Sequence, residues 1–299
     1  MQHEQARAEL RTVRDLLRYA VSRFGAAKLA FGHGSATAFD EAAYLILHTL
    51  HLPIDTLDPF LDARLLPTEV DAVLNVIHRR ADERVPAAYL TGEAWLGEFR
   101  FLVDERVIVP RSFIAEWLRD GFTPWIEEPA SVGRVLDLCT GSGCLAIVAA
   151  HLFPNAQVDA VDISPAALEV ARSNVALYGL EDRVHVVESD LFARLHGEKY
   201  NVILTNPPYV PTKSMDALPA EYRHEPALAL GAGADGLDVV RRIMADAPTY
   251  LAKRGIMVVE VGHERDAVEA AWPRMPMTWL STSAGDDMIY LVDRDALVS

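Results

Sequence analysis

Residues 134–163 read RVLDLCTGSGCLAIVAAHLFPNAQVDAVDI, and this stretch decides the architecture. Arg134–Leu138 is a short apolar run of strand type, and Asp137-Leu-Cys-Thr-Gly-Ser-Gly-Cys144 follows with glycines at 141 and 143. Without a Cβ, those two positions allow a tight turn and a close backbone approach to a ligand. An apolar helix is predicted from Cys144 to Phe153, and 157–163 returns as a second strand ending on Asp162-Ile163. Strand, glycine turn, helix and strand together make one βαβ unit.

The same rhythm continues downstream, with a helix over 165–178, strands over 184–188 and 200–205, a helix over 237–252 and a strand over 256–261. Alternation of this kind implies an α/β fold with a parallel, doubly wound sheet. Runs 277–281 and 288–292, joined through Ala284-Gly285-Asp286, predict an antiparallel hairpin at its edge. Upstream the texture differs. Leu10, Val13, Leu17, Ala20, Val21 and Phe24 fall at helical spacing, as do Leu66, Val70, Val73, Leu74 and Ile77, and a third helix is predicted near 40–50 with Asp40 as its N-cap. Residues 1–92 therefore read as a small helical domain. Residues 93–111 read as a β-hairpin linker, with Phe99–Val103 and Val107–Val109 on either side of a turn at Asp104–Arg106. Residues 112–299 form the α/β domain.

The 299 residues carry 28 basic and 43 acidic groups, a net charge of −15, of which residues 111–299 hold −11. A surface this negative repels phosphate backbones, so no stand-alone nucleic-acid binding is expected, and a basic protein partner would be attracted. No apolar run approaches the ~18 residues of a membrane span. The charged start MQHEQARAEL lacks the apolar core of a secretory signal. Two cysteines, Cys139 and Cys144, give neither a disulfide framework nor a cysteine-only zinc site, so a reducing cytoplasm is the expected compartment and no metal is expected.

Three acidic or glycine signals fall at carboxyl ends of predicted strands, where open α/β sheets bind ligands. Asp162, about 20 residues past the glycines, is placed to accept both hydroxyls of a ribose. Asp190 is placed to take an adenine amino hydrogen while Leu191 covers the ring. Taken singly, each has a plainer reading: a tight turn at Gly141 and Gly143, or a helix cap at Asp162. Gly141-x-Gly143-x-x-Ala146 also satisfies a dinucleotide fingerprint, so these positions alone leave a nicotinamide cofactor open.

The fourth strand carries the chemistry, running into Asn206-Pro207-Pro208-Tyr209. Two prolines end the sheet, remove two N–H donors and hold the chain extended. Asn206 adds a side-chain carbonyl and Tyr209 a flat aromatic face. Together they describe a socket for a planar –NH2 group, its hydrogens donated to Asn206 Oδ1 and the Pro207 carbonyl and its plane stacked on Tyr209. Such a socket suits methyl transfer to an amide or ring nitrogen, and S-adenosylmethionine is the cofactor whose ribose and adenine fit the aspartates.

DLCTGSGC, VDAVDIS, NPPYV and the segment AYLTGEAWLGEFRFLVDERVIVPRS closely resemble the bacterial protein-glutamine methyltransferases related to release-factor methylation. Cys139-Thr-Gly-Ser-Gly-Cys144 and Leu218-Pro-Ala-Glu-Tyr-Arg-His-Glu-Pro226 resemble the branch acting on large-subunit ribosomal protein L three. The resemblance is strong from about Val85 to Val261 and weaker at both ends. It implies a Rossmann-like class I S-adenosylmethionine-dependent methyltransferase sheet and an N-terminal helical domain that helps hold the protein substrate. It also implies that Asp137, Thr140, Gly141, Gly143 and Asp162 hold the cofactor and that Asn206, Pro207, Pro208 and Tyr209 bind the acceptor glutamine. Cys139, Ser142, Ile163, Asp190, Leu191 and Asn206 complete the expected cofactor wall. The wider methyltransferase pattern has Gly where this chain has Cys139, which leaves less room beside the methionine end of the cofactor.

Two roles are open for Arg111 in the segment roofing the cleft: neutralising an acidic group or touching substrate, against an ion pair at a domain interface. His224 and Glu225, in the long loop 210–238, either line the substrate channel or tie the loop down. A release factor is the alternative substrate. DNA adenine-amine methylation uses a similar socket on a flipped base, but the charge of the α/β domain opposes it. A nicotinamide dehydrogenase leaves the proline socket unexplained, and a non-catalytic scaffold leaves the whole motif set unexplained.

Overall fold

The computed structural model describes residues 2–32 and 34–298. The chain forms two compact units, one of Met1–Ala94 with Pro219–His224 and one of Trp95–Leu218 with Glu225–Ser299. The six residues Pro219–His224, read above with the α/β domain, thus cluster with the helical unit.

In the helical unit, helices Val13–Ala27, Ala38–Thr49 and Pro67–Ala81 share a core that includes Leu16, Ala20, Phe24, Leu45, Ile46, Val73, Leu74 and Ile77. The first begins at a capping box, in which Thr12 Oγ1 accepts from Asp15 N at 3.2 Å and Asp15 Oδ2 accepts from Thr12 N at 3.0 Å. The second is capped by Thr37, not by Asp40. Thr37 Oγ1 accepts from Asp40 N at 3.1 Å and donates to the Asp40 carboxylate at 2.6 Å. Arg80 crosses this unit fully buried. It donates to Glu41 Oε1 at 2.6 Å, to Glu221 Oε1 at 3.2 Å and to the Ala30 carbonyl at 2.9 Å.

Strands β1 (Glu93–Leu96) and β2 (Phe99–Leu102) pair as a two-stranded sheet. The turn is at Gly97, whose φ of +62° suits glycine, and not at Asp104–Arg106. Residues 107–113 form a strap outside both sheets, in which Val107 and Val109 are buried.

The large sheet contains β3 (Arg134–Leu138), β4 (Gln157–Asp162), β5 (Val184–Glu188), β6 (Tyr200–Thr205), β7 (Leu251–Glu260), β8 (Thr278–Thr282) and β9 (Gly285–Asp293). Their order is β5-β4-β3-β6-β7-β9-β8, with β9 antiparallel to both neighbours. β3 pairs in parallel with β4 on one side and β6 on the other, so the direction of winding reverses there. A reversal of this kind opens a crevice at the carboxyl ends of the flanking strands. β7 begins five residues before the predicted 256, since helix Asp238–Tyr250 ends short of the predicted 252, and its register on β6 jumps from Leu251 beside Tyr200 to Ile256 beside Val202. No helix among the described residues is long and apolar enough to cross a membrane, and no group of three or more His, Cys, Asp or Glu residues among them could hold a metal.

Candidate active site

The chain leaves β3 through Cys139, Gly141 and Gly143, with φ of +60°, +54° and +80°. A Cβ on Gly143 would stand 3.3 Å from Ala171 Cβ, so that glycine allows close packing on helix Pro165–Leu177. A Cβ on Gly141 would meet no protein atom within 4 Å, since that residue faces open space in the crevice.

Two aspartates shape this loop from behind. Asp137 is buried; its Oδ2 accepts from Thr140 Oγ1 at 2.5 Å and from Ala146 N at 3.0 Å, while Oδ1 has no partner in the protein. Burial pushes its carboxyl up to about 7, against the pull of those two donors. Asp162 Oδ2 accepts from Gly141 N and Oδ1 from Ser164 N, both at 2.9 Å. Its carboxyl is also raised by burial.

A cleft opens at the carboxyl ends of β3, β4, β5 and β6. Of the predicted residues, Cys139, Gly141, Asp162, Ile163, Asp190, Leu191, Asn206 and Pro208 line it. A smaller adjoining cavity is lined by Cys139, Thr140, Gly141, Ser142 and Asn206, and by Pro110, Arg111 and Ser112. Asn206 belongs to both walls. Asp137, Gly143, Pro207 and Tyr209 line neither cavity. The Tyr209 ring lies against Gly262, where a Cβ would stand 2.7 Å from Cε2. Asp190 is held by Arg242, whose Nη2 donates to its carboxylate at 2.8 Å, and both residues face the cleft.

The roof residues left open above now have partners. Arg111 makes a two-pronged pair with Glu225, Nη2 donating to Oε2 at 2.7 Å, and Glu225 Oε1 also accepts from Val109 N at 3.0 Å. This pair ties the long loop to the strap. The His224 ring nitrogen lies 2.9 Å from the Glu83 carbonyl, within the helical unit. Three residues escaped the sequence reading. Asn174 binds both Ser142 and Leu102, Glu260 binds Ser112 and Phe113, and Arg106 lines the cleft while pairing with Asp104 and Glu169. Each of the first two was hidden by sequence distance; no local pattern marks them.

The chain matches the Methyltransferase small domain family model over residues 124–221. It is 62% identical over 291 residues, 97% of this chain and 98% of the relative, to the ribosomal protein uL3 glutamine methyltransferase of Bordetella pertussis. The enzyme of the same description from Burkholderia pseudomallei is 61% identical over 294 residues, 96% of each chain. Among solved structures, the hMettl16 catalytic domain shares the fold, with a TM-score of 0.52, 17% identity and coverage of 84% of this chain and 89% of that one. With this degree of identity over nearly the whole length, the chain belongs to the family of ribosomal protein uL3 glutamine methyltransferases.

Proposed function

We propose that this chain transfers a methyl group from S-adenosylmethionine to the side-chain amide nitrogen of a glutamine in ribosomal protein uL3, in the cytoplasm. The observation that carries the reading is the position of Asn206, on the wall common to the large cleft and the small cavity. The residues present fit the cofactor: Gly141 faces open space, and a buried Asp137 oxygen behind the loop is without a protein partner. Asp162 would accept the ribose hydroxyls, Asp190 the adenine amino group, with Ile163 and Leu191 beside the ring. The Gly141–Gly143 turn and Ser142 would face the methionine end, with Cys139 and Thr140 next to it. When bound, S-adenosylmethionine supplies a methyl carbon activated by its sulfonium.

The protein's task is then to orient a weak nucleophile. An amide lone pair is delocalised into its carbonyl. Asn206 Oδ1 and the Pro207 carbonyl accept the two amide hydrogens, drawing density back to nitrogen and fixing the lone pair in line with the methyl carbon. Pro207 and Pro208 keep those acceptors rigid, and Tyr209, braced at Gly262, supplies the aromatic plane. Positioning of this sort is worth up to ~7–11 kcal/mol. The methylated nitrogen loses its proton to water, so no strong base is required. The net charge of −15 attracts a basic ribosomal protein during encounter.

The test is incubation of the purified chain with methyl-labelled S-adenosylmethionine and, separately, uL3, a release factor and DNA, followed by mass spectrometry of the products. Label on a uL3 glutamine is expected, and Asn206→Ala should abolish it while leaving cofactor binding largely intact. Label confined to the release factor would move the substrate to the sister branch. Label confined to DNA would overturn the reading.

A further inference from the structure

A buried carboxyl beside Asn206 has no part in the chemistry above. The last parallel pair of β6 and β7 is Thr205 with Val259, so Asn206 and Glu260 are the next residues on the two strands, at the carboxyl edge of the sheet. Glu260 is 2% exposed. Its Oε2 accepts from Ser112 Oγ at 2.6 Å and from Phe113 N at 3.0 Å.

Those two donors belong to the strap that walls the small cavity. Pro110, Arg111 and Ser112 line it together with Asn206, Gly141 and Ser142. The strap is not a strand and has no ladder to hold it. Its near end is pinned by Glu225, through Val109 N and Arg111, and its far end by Glu260. A buried carboxyl is costly where an apolar side chain would pack, and directional bonds to a hydroxyl and a backbone N–H are what it offers in return.

Resting on the reading that this cleft performs methyl transfer, we propose that Glu260 is a positioning residue for the reaction: through Ser112 and Phe113 it fixes a wall of the small cavity that Asn206 also lines. Glu260 sets the width of that cavity and so the alignment of donor and acceptor, without touching either.

The experiment compares wild type, Glu260→Ala, Glu260→Gln, Ser112→Ala and the double variant Glu260→Ala/Ser112→Ala. Each is assayed for kcat, KM for uL3, S-adenosylmethionine binding by calorimetry, and thermal midpoint. Wild type that neither binds the cofactor nor methylates uL3 would refute the functional reading itself. With wild type active, Glu260→Ala should lower kcat on the order of 10²-fold, the loss that a displacement of about 1 Å produces, with KM for uL3 little changed. Glu260→Gln, whose amide oxygen can accept both bonds, should restore most of the rate. Ser112→Ala should cost less than Glu260→Ala, and the double variant should be no slower than Glu260→Ala, because both changes act through one bond. Wild-type kcat in Glu260→Ala, multiplicative losses in the double variant, or failure of Gln to rescue would overturn the proposal. Should Glu260→Ala not fold, Ser112→Ala decides: a reduced kcat at an unchanged thermal midpoint supports the role, and an unchanged kcat overturns it.

Discussion

Asn174 donates a hydrogen bond from Nδ2 to the Ser142 carbonyl at 2.9 Å, which fastens the glycine loop to helix Pro165–Leu177. The same side chain serves β2: its Oδ1 accepts from Leu102 N at 2.7 Å and its Nδ2 donates to Leu102 O at 3.0 Å. Tyr178, one turn further on, does likewise for Arg100, accepting from its N–H at 2.8 Å and donating to its carbonyl at 2.9 Å. Residues four apart share a helix face, so one face of this helix holds both the loop and the hairpin.

Asn174→Ala removes three bonds at once and leaves the Ser142 carbonyl without this donor. A loss of about 2 kcal/mol in urea unfolding is expected, in keeping with buried polar groups left unpaired. Calorimetry should show weaker S-adenosylmethionine binding, since the loop then loses its hydrogen bond to the helix. An unchanged denaturation midpoint together with unchanged binding would show that the loop holds its shape unaided.

Gly262 should matter through Tyr209. Its φ is +53°, and a Cβ there would lie 2.7 Å from Tyr209 Cε2 and 3.2 Å from Cζ. Gly262→Ala therefore has to displace the ring. Transfer to uL3 should fall on the order of 10²-fold, the effect of shifting a positioning group by about 1 Å. Cofactor affinity should stay at the wild-type value, because neither residue lines the large cleft. A loss of cofactor binding in this variant would place Tyr209 in the wrong subsite.

The parts of this architecture that sequence alone discloses are those fixed by near neighbours. The glycine turn, the strand ends at Asp162 and Asp190, and the Asn206–Tyr209 stop each declare themselves within a few residues. The hairpin misled because Val107 and Val109 alternate like strand residues; they alternate because the strap buries them, with no partner strand. The cap at Thr37 was hidden by Asp40, which sits one turn inside and shares the same hydrogen bonds. Glu260 with Ser112, Glu225 with Val109 and Asn174 with Leu102 lie 148, 116 and 72 residues apart, and no local pattern encodes such pairings. Asp190 illustrates a middle case: its place on the cleft wall is readable, its partner Arg242 on helix Asp238–Tyr250 is not.

In the helical unit, Arg80 is the test of a buried charge. Arg80→Met leaves Glu41 buried with no cation, whereas Glu221 keeps Arg84 Nη1 at 3.3 Å. Breaking a buried pair from one side costs about 3–5 kcal/mol, and replacing both partners by apolar groups costs far less. Arg80→Met/Glu41→Leu should therefore be more stable than Arg80→Met alone in urea unfolding. A double variant less stable than the single one would mean that Glu41 is satisfied by something other than Arg80.

Glu260 and Asp137 should also give the fold a pH dependence of unusual sign. Burial pushes each carboxyl up to about 7, from ordinary values of 4.5 and 3.8. Between those limits the native state keeps protons that the unfolded chain has released, so unfolding free energy falls as pH rises. The stabilisation is complete below about pH 4 and gone above about 7, worth roughly 3 kcal/mol for Glu260 and roughly 4 kcal/mol for Asp137 over that span. Glu260→Gln fixes one site in a neutral form and removes its share. The variant's stability relative to wild type should therefore grow from pH 5 to about pH 7 and level off above it, measured by urea unfolding across the range. Asp137→Asn should show the same trend, its amide oxygen accepting from both Thr140 Oγ1 and Ala146 N as Oδ2 of the carboxylate does. A difference between Glu260→Gln and wild type that stays constant with pH would mean that Glu260 titrates alike in the folded and unfolded chains. The Ser112 and Phe113 bonds would then have to offset the whole penalty of burying the charge.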